Sequence, residues 1–142
     1  PKVLGTDGRK MSKSYGNCLY LSDTPEEITK KVMAMVTDPA RVRRQDPGNP
    51  DVCPLYALDQ VFSPKAWCDH VNVECRRAGI GCVDDKKELL KHLLAYLKPI
   101  HDRRRELTGD PKKVSEIIAE GSRRARVVAQ KTLAEVSEAM KL

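Results

Sequence analysis

The apolar residues of this chain recur at spacings of three and four, and no stretch alternates apolar with polar side chains. Helical spacing lines such residues up on one stripe, whereas a half-buried strand needs a period of two. The stripes also begin at helix-start signals. Thr24-Pro25-Glu26-Glu27 supplies an N-cap hydroxyl, a proline at the first helical position and the carboxylate of a capping box. Ile28, Val32, Met35 and Val36 follow, and Asp38-Pro39 is expected to end that helix. Cys53-Pro54 opens a short helix with Leu55, Leu58 and Val61 on one side. Ser63-Pro64 starts a third, carrying Trp67, Val71 and Cys75, with Gly79 and Gly81 punctuating its end. Asp84 or Asp85 is expected to cap the strongest helix, whose stripe is Leu89, Leu90, Leu93, Leu94 and Leu97. Pro99 is expected to kink this helix without stopping it, and Leu107-Thr108-Gly109 to end it. Asp110-Pro111 opens a last amphipathic helix through Val114, Ile117, Ile118, Ala125, Val128, Ala129, Leu133, Val136 and Met140, with a bend expected at Gly121. The expectation is an all-α fold: a bundle of about five helices behind an irregular loop, each stripe buried against the others.

With 142 residues the chain is long enough for one domain with a core. A net charge of +6 is compatible with nucleic acid without demanding it. Aromatics make up only 4% of the chain, which argues against a sheet-type single-strand binder built on stacking rings. No apolar run is long enough to span a bilayer and no secretory leader is visible, so a cytoplasmic location is expected. The five cysteines, at 18, 53, 68, 75 and 82, are odd in number and read as thiols.

Residues 10–14 read Lys-Met-Ser-Lys-Ser, within Gly5-Thr6-Asp7-Gly8-Arg9 before and Tyr15-Gly16-Asn17 after. Two ammonium groups three residues apart, with small hydroxyls between glycines, suit a mobile loop that grips a polyphosphate. Lysine brings a mobile point charge, serine a donor without bulk, and Gly5, Gly8 and Gly16 are candidate hinges.

The pentapeptide and its flanks resemble the signature loop of class I aminoacyl-tRNA synthetases, and the flanks look most like the tryptophanyl branch. Thr37 to Arg44, Asp46-Pro47-Gly48-Asn49-Pro50, Arg76 to Asp84, Pro99 to Arg105 and the closing run from Leu133 are similar to that family too, so the resemblance covers essentially the whole chain. It implies the C-terminal part of a tryptophan–tRNA ligase, divided into residues 1–23 (loop and linker from a nucleotide-binding domain) and 24–142 (a helical anticodon-binding domain). By that resemblance Lys10 and Lys13 are the catalytic candidates. Lys10, Met11, Ser12, Lys13 and Ser14 hold ATP, with Mg²⁺ sharing the phosphate charge. The implied partners are tRNA(Trp), ATP and L-tryptophan, and the implied assembly is a homodimer through another domain. The family's paired-histidine signature has no counterpart, since His70, His92 and His101 stand singly; the chain by itself is therefore expected to be catalytically silent.

Some members of that family hold a four-iron, four-sulfur cluster on four cysteines of the helical domain. Cys53, Cys75 and Cys82 fall at or near three of those positions, and Asp85 stands where the fourth cysteine would be. Three thiolates and a hard carboxylate make a poorer cage than four thiolates, so buried thiols are the preferred reading and no metal ligand is assigned. Arg41, Arg43 and Arg44, the Arg103-Arg104-Arg105 run, Lys112-Lys113, and Arg123, Arg124 and Arg126 form the basic clusters from which tRNA phosphates and unpaired bases could be met. Three other readings stay open: a free-standing tRNA-binding helical module, an iron–sulfur-binding domain, and another class I synthetase such as the related tyrosine enzyme.

Overall fold

The computed structural model describes residues 3–141. Five α-helices follow one another: α1 (Pro25–Ala34), α2 (Pro54–Phe62), α3 (Lys65–Arg76), α4 (Cys82–Gly109) and α5 (Pro111–Met140). Two single 3₁₀ turns, Lys13–Tyr15 and Pro50–Val52, interrupt the connecting loops. Among the described residues no strand forms; one isolated bridge joins Leu4 to Lys10. The all-α expectation is met.

The start signals act as read. Thr24 Oγ1 accepts from the Glu27 amide while the Glu27 carboxylate accepts from the Thr24 amide, a complete capping box. At α5, Asp110 accepts from the Lys113 amide and Pro111 occupies the first helical position. The ends differ more from expectation. α1 stops at Ala34, before Asp38-Pro39, and Val36 is left exposed outside it. The reason is a distant lysine. Lys86 Nζ, buried beneath the helix end, donates to the carbonyls of Met33 (2.9 Å) and Met35 (2.5 Å), so they need no fourth helical turn. After α3 the left-handed residue is Ala78 (φ 60°), with the Gly79 amide returning to the Glu74 carbonyl. α4 begins at Cys82, so Asp84 and Asp85 lie inside its first turn instead of capping it. It runs on through Pro99 to Gly109, and α5 continues through Gly121 without a break.

The chain divides into two compact units, Pro1–His101 and Asp102–Leu142, with the division falling inside α4. The core lies in the first. Ile28 and Val32 of α1, Leu55 and Leu58 of α2, Val71 of α3, and Leu89 and Leu93 of α4 are each no more than 2% exposed and pack in one cluster. Each such side chain withdraws enough apolar surface to stabilise the fold by roughly 1.5–3 kcal/mol. Val61, expected beside Leu55 and Leu58, is exposed. In the second unit none of the α5 side chains is buried; Ile118 is 62% and Leu133 64% exposed. The expectation that every stripe buries itself thus fails for α5. Periodicity marks a face as apolar but does not provide a partner to cover it.

Candidate functional site

Residues 3–17 fold into a small, cross-braced loop. The Gly5 amide donates to the Arg9 carbonyl (2.8 Å) and the Met11 amide to the Val3 carbonyl (2.9 Å), which closes a tight turn over Thr6–Gly8. At its centre is Asn17, 2% exposed. Its Oδ1 accepts from the Ser12 amide (2.8 Å), and its Nδ2 donates to Asp7 Oδ1 (2.7 Å) and to the Lys10 carbonyl (3.2 Å). One primary amide therefore ties both arms of the loop through both N–H donors and its oxygen. Gly5 lies so close that a Cβ there would be 2.4 Å from the Asn17 side chain. Gly16, at φ 66°, makes the left-handed turn that brings Asn17 under the loop. Asp7 also receives Arg9 Nε (2.7 Å), and the Asn17 hydrogen bond, with Arg9 behind it, holds its carboxyl at about 2. The Arg9 guanidinium lies 4.5 Å from the centre of the Tyr15 ring.

Lys10 and Lys13 are exposed, and among the described residues no carboxylate pairs with either ammonium. Ser12 and Ser14 meet through their hydroxyls at 2.9 Å, and Met11 is half-buried. The structure thus gathers Lys10, Ser12, Lys13 and Ser14 on one short segment. Asn17, which organises that segment, was not singled out from the sequence. Its signal was available: a short amide just after a glycine that can turn left-handed. The Val36 amide donates to the Thr6 carbonyl (3.0 Å), docking the loop on the segment after α1.

A second constellation surrounds Arg41. Expected among surface cations, it is instead buried. Its Nη2 donates to the carbonyls of Arg44 and Ile80 (2.7 Å each), and its Nη1 lies 3.7 Å from Cys75 Sγ and 3.8 Å from Cys82 Sγ. Asp38 stiffens the same loop by accepting from the amides of Ala40 (2.9 Å) and Asn49 (2.7 Å). Cys53, Cys75, Cys82 and Asp85 do line one cavity with Arg41, but its volume is only about 10 Å³, room for about one water. With a guanidinium between two of the thiols, these residues do not fit an iron–sulfur cluster as arranged. Among the described residues no group of three or more His, Cys, Asp or Glu could hold a metal ion. Burial pushes the Cys53 and Cys75 thiols up, as expected of packed neutral sulfur.

Behind that cavity two carboxyl groups adjoin. Asp59 is fully buried and Asp85 5% exposed. Asp59 Oδ1 accepts from Ser63 Oγ (2.6 Å), and that hydroxyl is 3.0 Å from His92 Nδ1. Asp59 Oδ2 and Asp85 Oδ1 have no donor. The Trp67 indole N–H, likewise unpaired, lies beside both acids. Burial, reinforced by the Asp85 charge, raises Asp59 to about 8, and burial raises Asp85 to about 6. The sequence did not mark Asp59 and offered Asp85 only as a helix cap or in a cysteine's place; only packing brings the two together.

The remaining basic residues divide by partner. Glu106 takes both Lys113 (2.8 Å) and Arg103 (2.5 Å), and the Lys113 hydrogen bond, followed by that of Arg103, holds its carboxyl at about 2. Arg123 and Arg124 both reach Glu120. Outside the buried Arg41, a hollow of about 520 Å³ is walled by Val42, Arg43, Arg44, Val83 and Asp84, among others.

Comparison with known proteins accounts for this combination. The family model described as tRNA synthetases class I (W and Y) matches residues 1–98. A tryptophan–tRNA ligase of Aquifex aeolicus is 48% identical over all of this chain, which spans 36% of that protein. One of Thermotoga maritima is also 48% identical over the whole chain, which spans 44% of it. In structure, the chain superposes over its full length on 44% of a tryptophanyl-tRNA synthetase of Campylobacter jejuni, solved with ADP and tryptophan, at a TM-score of 0.87 and 27% identity. The chain spans only 36–44% of the length of these relatives. The braced lysine loop, the helical array behind it and these matches together place the chain in the class I tRNA synthetase family of the tryptophan and tyrosine enzymes.

Proposed function

We propose that this chain is the part of a tryptophan–tRNA ligase that carries the ATP-gripping loop and a tRNA-contacting helical region. The observation that carries the reading is the loop itself: two exposed ammonium groups, Lys10 and Lys13, without carboxylate partners among the described residues, on a segment clamped by Asn17. The functional division proposed is residues 1–23 for the loop and linker and 24–142 for the helical region.

In adenylate formation a carboxylate attacks the α-phosphorus of ATP and pyrophosphate departs. Negative charge grows on the β- and γ-phosphate oxygens. Ammonium groups aimed at those oxygens stabilise the transition state more than the ground state. Lys10 and Lys13 do this as the loop closes, Ser12 and Ser14 donate to phosphate oxygens, and Met11 anchors the segment through its half-buried side chain. The Asn17 clamp fixes the loop's internal shape, so closure moves it as a unit instead of refolding it. Magnesium, which carries part of the phosphate charge in such reactions, binds nucleotide phosphates more than dedicated protein cages. The described residues accordingly need supply no site for it. ATP, tryptophan and tRNA(Trp) are the proposed substrates, and the proposed assembly is a homodimer through parts of the enzyme outside this chain.

The test is Lys13→Ala in the full-length enzyme, followed by ATP–pyrophosphate exchange and by equilibrium tryptophan binding. Exchange is expected to slow by about 10²–10³-fold, the range seen when one charge-stabilising group is removed, while tryptophan binding is unchanged. An exchange rate equal to wild type would remove the lysine from the chemistry. The 142-residue chain by itself is expected to leave exchange at background.

A further inference from the structure

We propose that Cys82 and Cys75 form a reversible thiol–disulfide pair: Cys82 captures a small organic thiol from its disulfide, and Cys75 displaces that thiol to close a Cys75–Cys82 bond. This chemistry is separate from that of the lysine loop, and either can fail without the other.

The arrangement that does not fit a cluster suits such a pair. One nitrogen, Arg41 Nη1, lies 3.7 Å from Cys75 Sγ and 3.8 Å from Cys82 Sγ, so both sulfurs meet the same cation. A short connection brings them there. Cys75 lies in the last turn of α3, and Cys82 opens α4. Between them the backbone turns at Ala78 (φ 60°), and the Gly79 amide ties back to the Glu74 carbonyl at 2.7 Å. Gly48 backs Cys75 so closely that a Cβ there would be 2.6 Å from the sulfur, which leaves that sulfur no room on the Gly48 side. Closing the bond releases Arg41 from the sulfurs only. Its Nη2 stays on the carbonyls of Arg44 and Ile80, 2.7 Å each, so the surrounding loop keeps its brace.

The two sulfurs differ in access, which fixes the order of events. Cys75 is 8% exposed, as are Cys18, Cys53 and Cys68, whereas Cys82 is half-buried and lines the hollow of about 520 Å³. An organic disulfide therefore reaches Cys82 first. Negative charge on that sulfur is met by Arg41 and by the free amides of the first turn of α4. Asp84 in that turn is already paired with Arg44 at 3.2 Å, and Asp85 lies against Asp59. The Cys82 thiolate attacks one sulfur of the small disulfide and expels the other as a thiolate. The space beside Cys82, walled by Arg43 and Arg44, suits a small thiol that carries carboxylates, such as glutathione. Cys75 then gives up its proton and attacks Cys82 Sγ, and the captured thiol leaves. The two cysteines together lose two protons and two electrons, and one small disulfide is reduced to two thiols. Because Cys82 is reachable, an excess of the reduced thiol reverses both steps.

The experiment incubates the folded 142-residue chain with glutathione disulfide, alkylates the thiols that remain, and maps the peptides by mass spectrometry. The chain is expected to lose two of its five free thiols, with the Cys75 and Cys82 peptides joined, and to recover both in reduced glutathione. Cys75→Ser is expected to hold glutathione at Cys82 as a stable mixed disulfide. Cys82→Ser is expected to keep all its remaining thiols free. Cys53→Ser, at a cysteine that lines the same small cavity, is expected to close the pair as wild type does. The wild-type map decides the matter even where a variant fails to fold. A wild-type chain that keeps five free thiols, that stops at a glutathione adduct, or that joins any other two cysteines would overturn the proposal. Closure that persists unchanged in excess reduced glutathione would also overturn it, since the bond would then be a fixed cross-link.

Discussion

Replacing Asp59 by Asn should make the fold nearly indifferent to pH where the wild type is not. Asp59 is fully buried, accepts from Ser63 Oγ at 2.6 Å, and lies against Asp85, with one oxygen of each acid lacking a donor. Its carboxyl, raised to about 8 in the folded chain, returns to the ordinary range near 3.8 on unfolding. Between those values the folded state keeps a proton that the unfolded state has released, so stability falls as pH rises. One group in that window costs about 1.4 kcal/mol per pH unit. From pH 6 to 8 that amounts to about 3 kcal/mol, or roughly 5–10 °C in melting temperature for a chain of this size. Asparagine has the same shape and no charge. Its oxygen can still accept from Ser63, and its Nδ2 can donate to Asp85 at every pH. Asp59→Asn should therefore melt at a nearly constant temperature over this interval and exceed wild type at pH 8. Arg41, His70, Trp67 and Cys68 also face the pair and are unchanged between the two proteins. The difference between the two curves, recorded by calorimetry at half-unit steps, therefore isolates the Asp59 proton. A wild-type melting temperature that does not fall between pH 6 and 8, or an Asn variant that keeps the wild-type slope, would refute the dyad.

Asn17→Ala should loosen the lysine loop by removing three hydrogen bonds and stranding the Ser12 amide, at a local cost of about 1–3 kcal/mol; amide exchange of Met11–Ser14 should accelerate while α4 is unaffected, and unchanged protection would show that the clamp is dispensable. Leu93→Ala in the core should lower stability by about 2–5 kcal/mol, whereas Ile118→Ser on exposed α5 should change it by less than about 0.5 kcal/mol, both read by urea unfolding of the 142-residue chain. Lys86→Met should destabilise the end of α1 by leaving the Met33 and Met35 carbonyls without their donor. Earlier amide exchange in α1 than in α3 would register this, and equal exchange would count against it.

The helices and the lysine motif were legible because their signals are local. A capping box needs only Thr24 and Glu27, a helix start only Asp110-Pro111, and Lys10 to Ser14 are contiguous. What escaped depends on residues far apart in the chain. The early end of α1 is set by Lys86, fifty-one positions after Met35. Arg41 read as a surface cation because nothing near it in sequence says that the carbonyl of Ile80 and the sulfur of Cys75 will enclose it. Asp59, unmarked in the sequence, and Asp85, read there only as a cap or in a cysteine's place, became a coupled buried pair only when α2 and α4 met. Local periodicity and capping chemistry thus determined that this chain is helical and where most helices begin. Which polar groups are buried, which arginine remains free at the surface, and which apolar stripe goes uncovered were decided by tertiary packing, since desolvation and pairing act between groups that only the folded chain brings together.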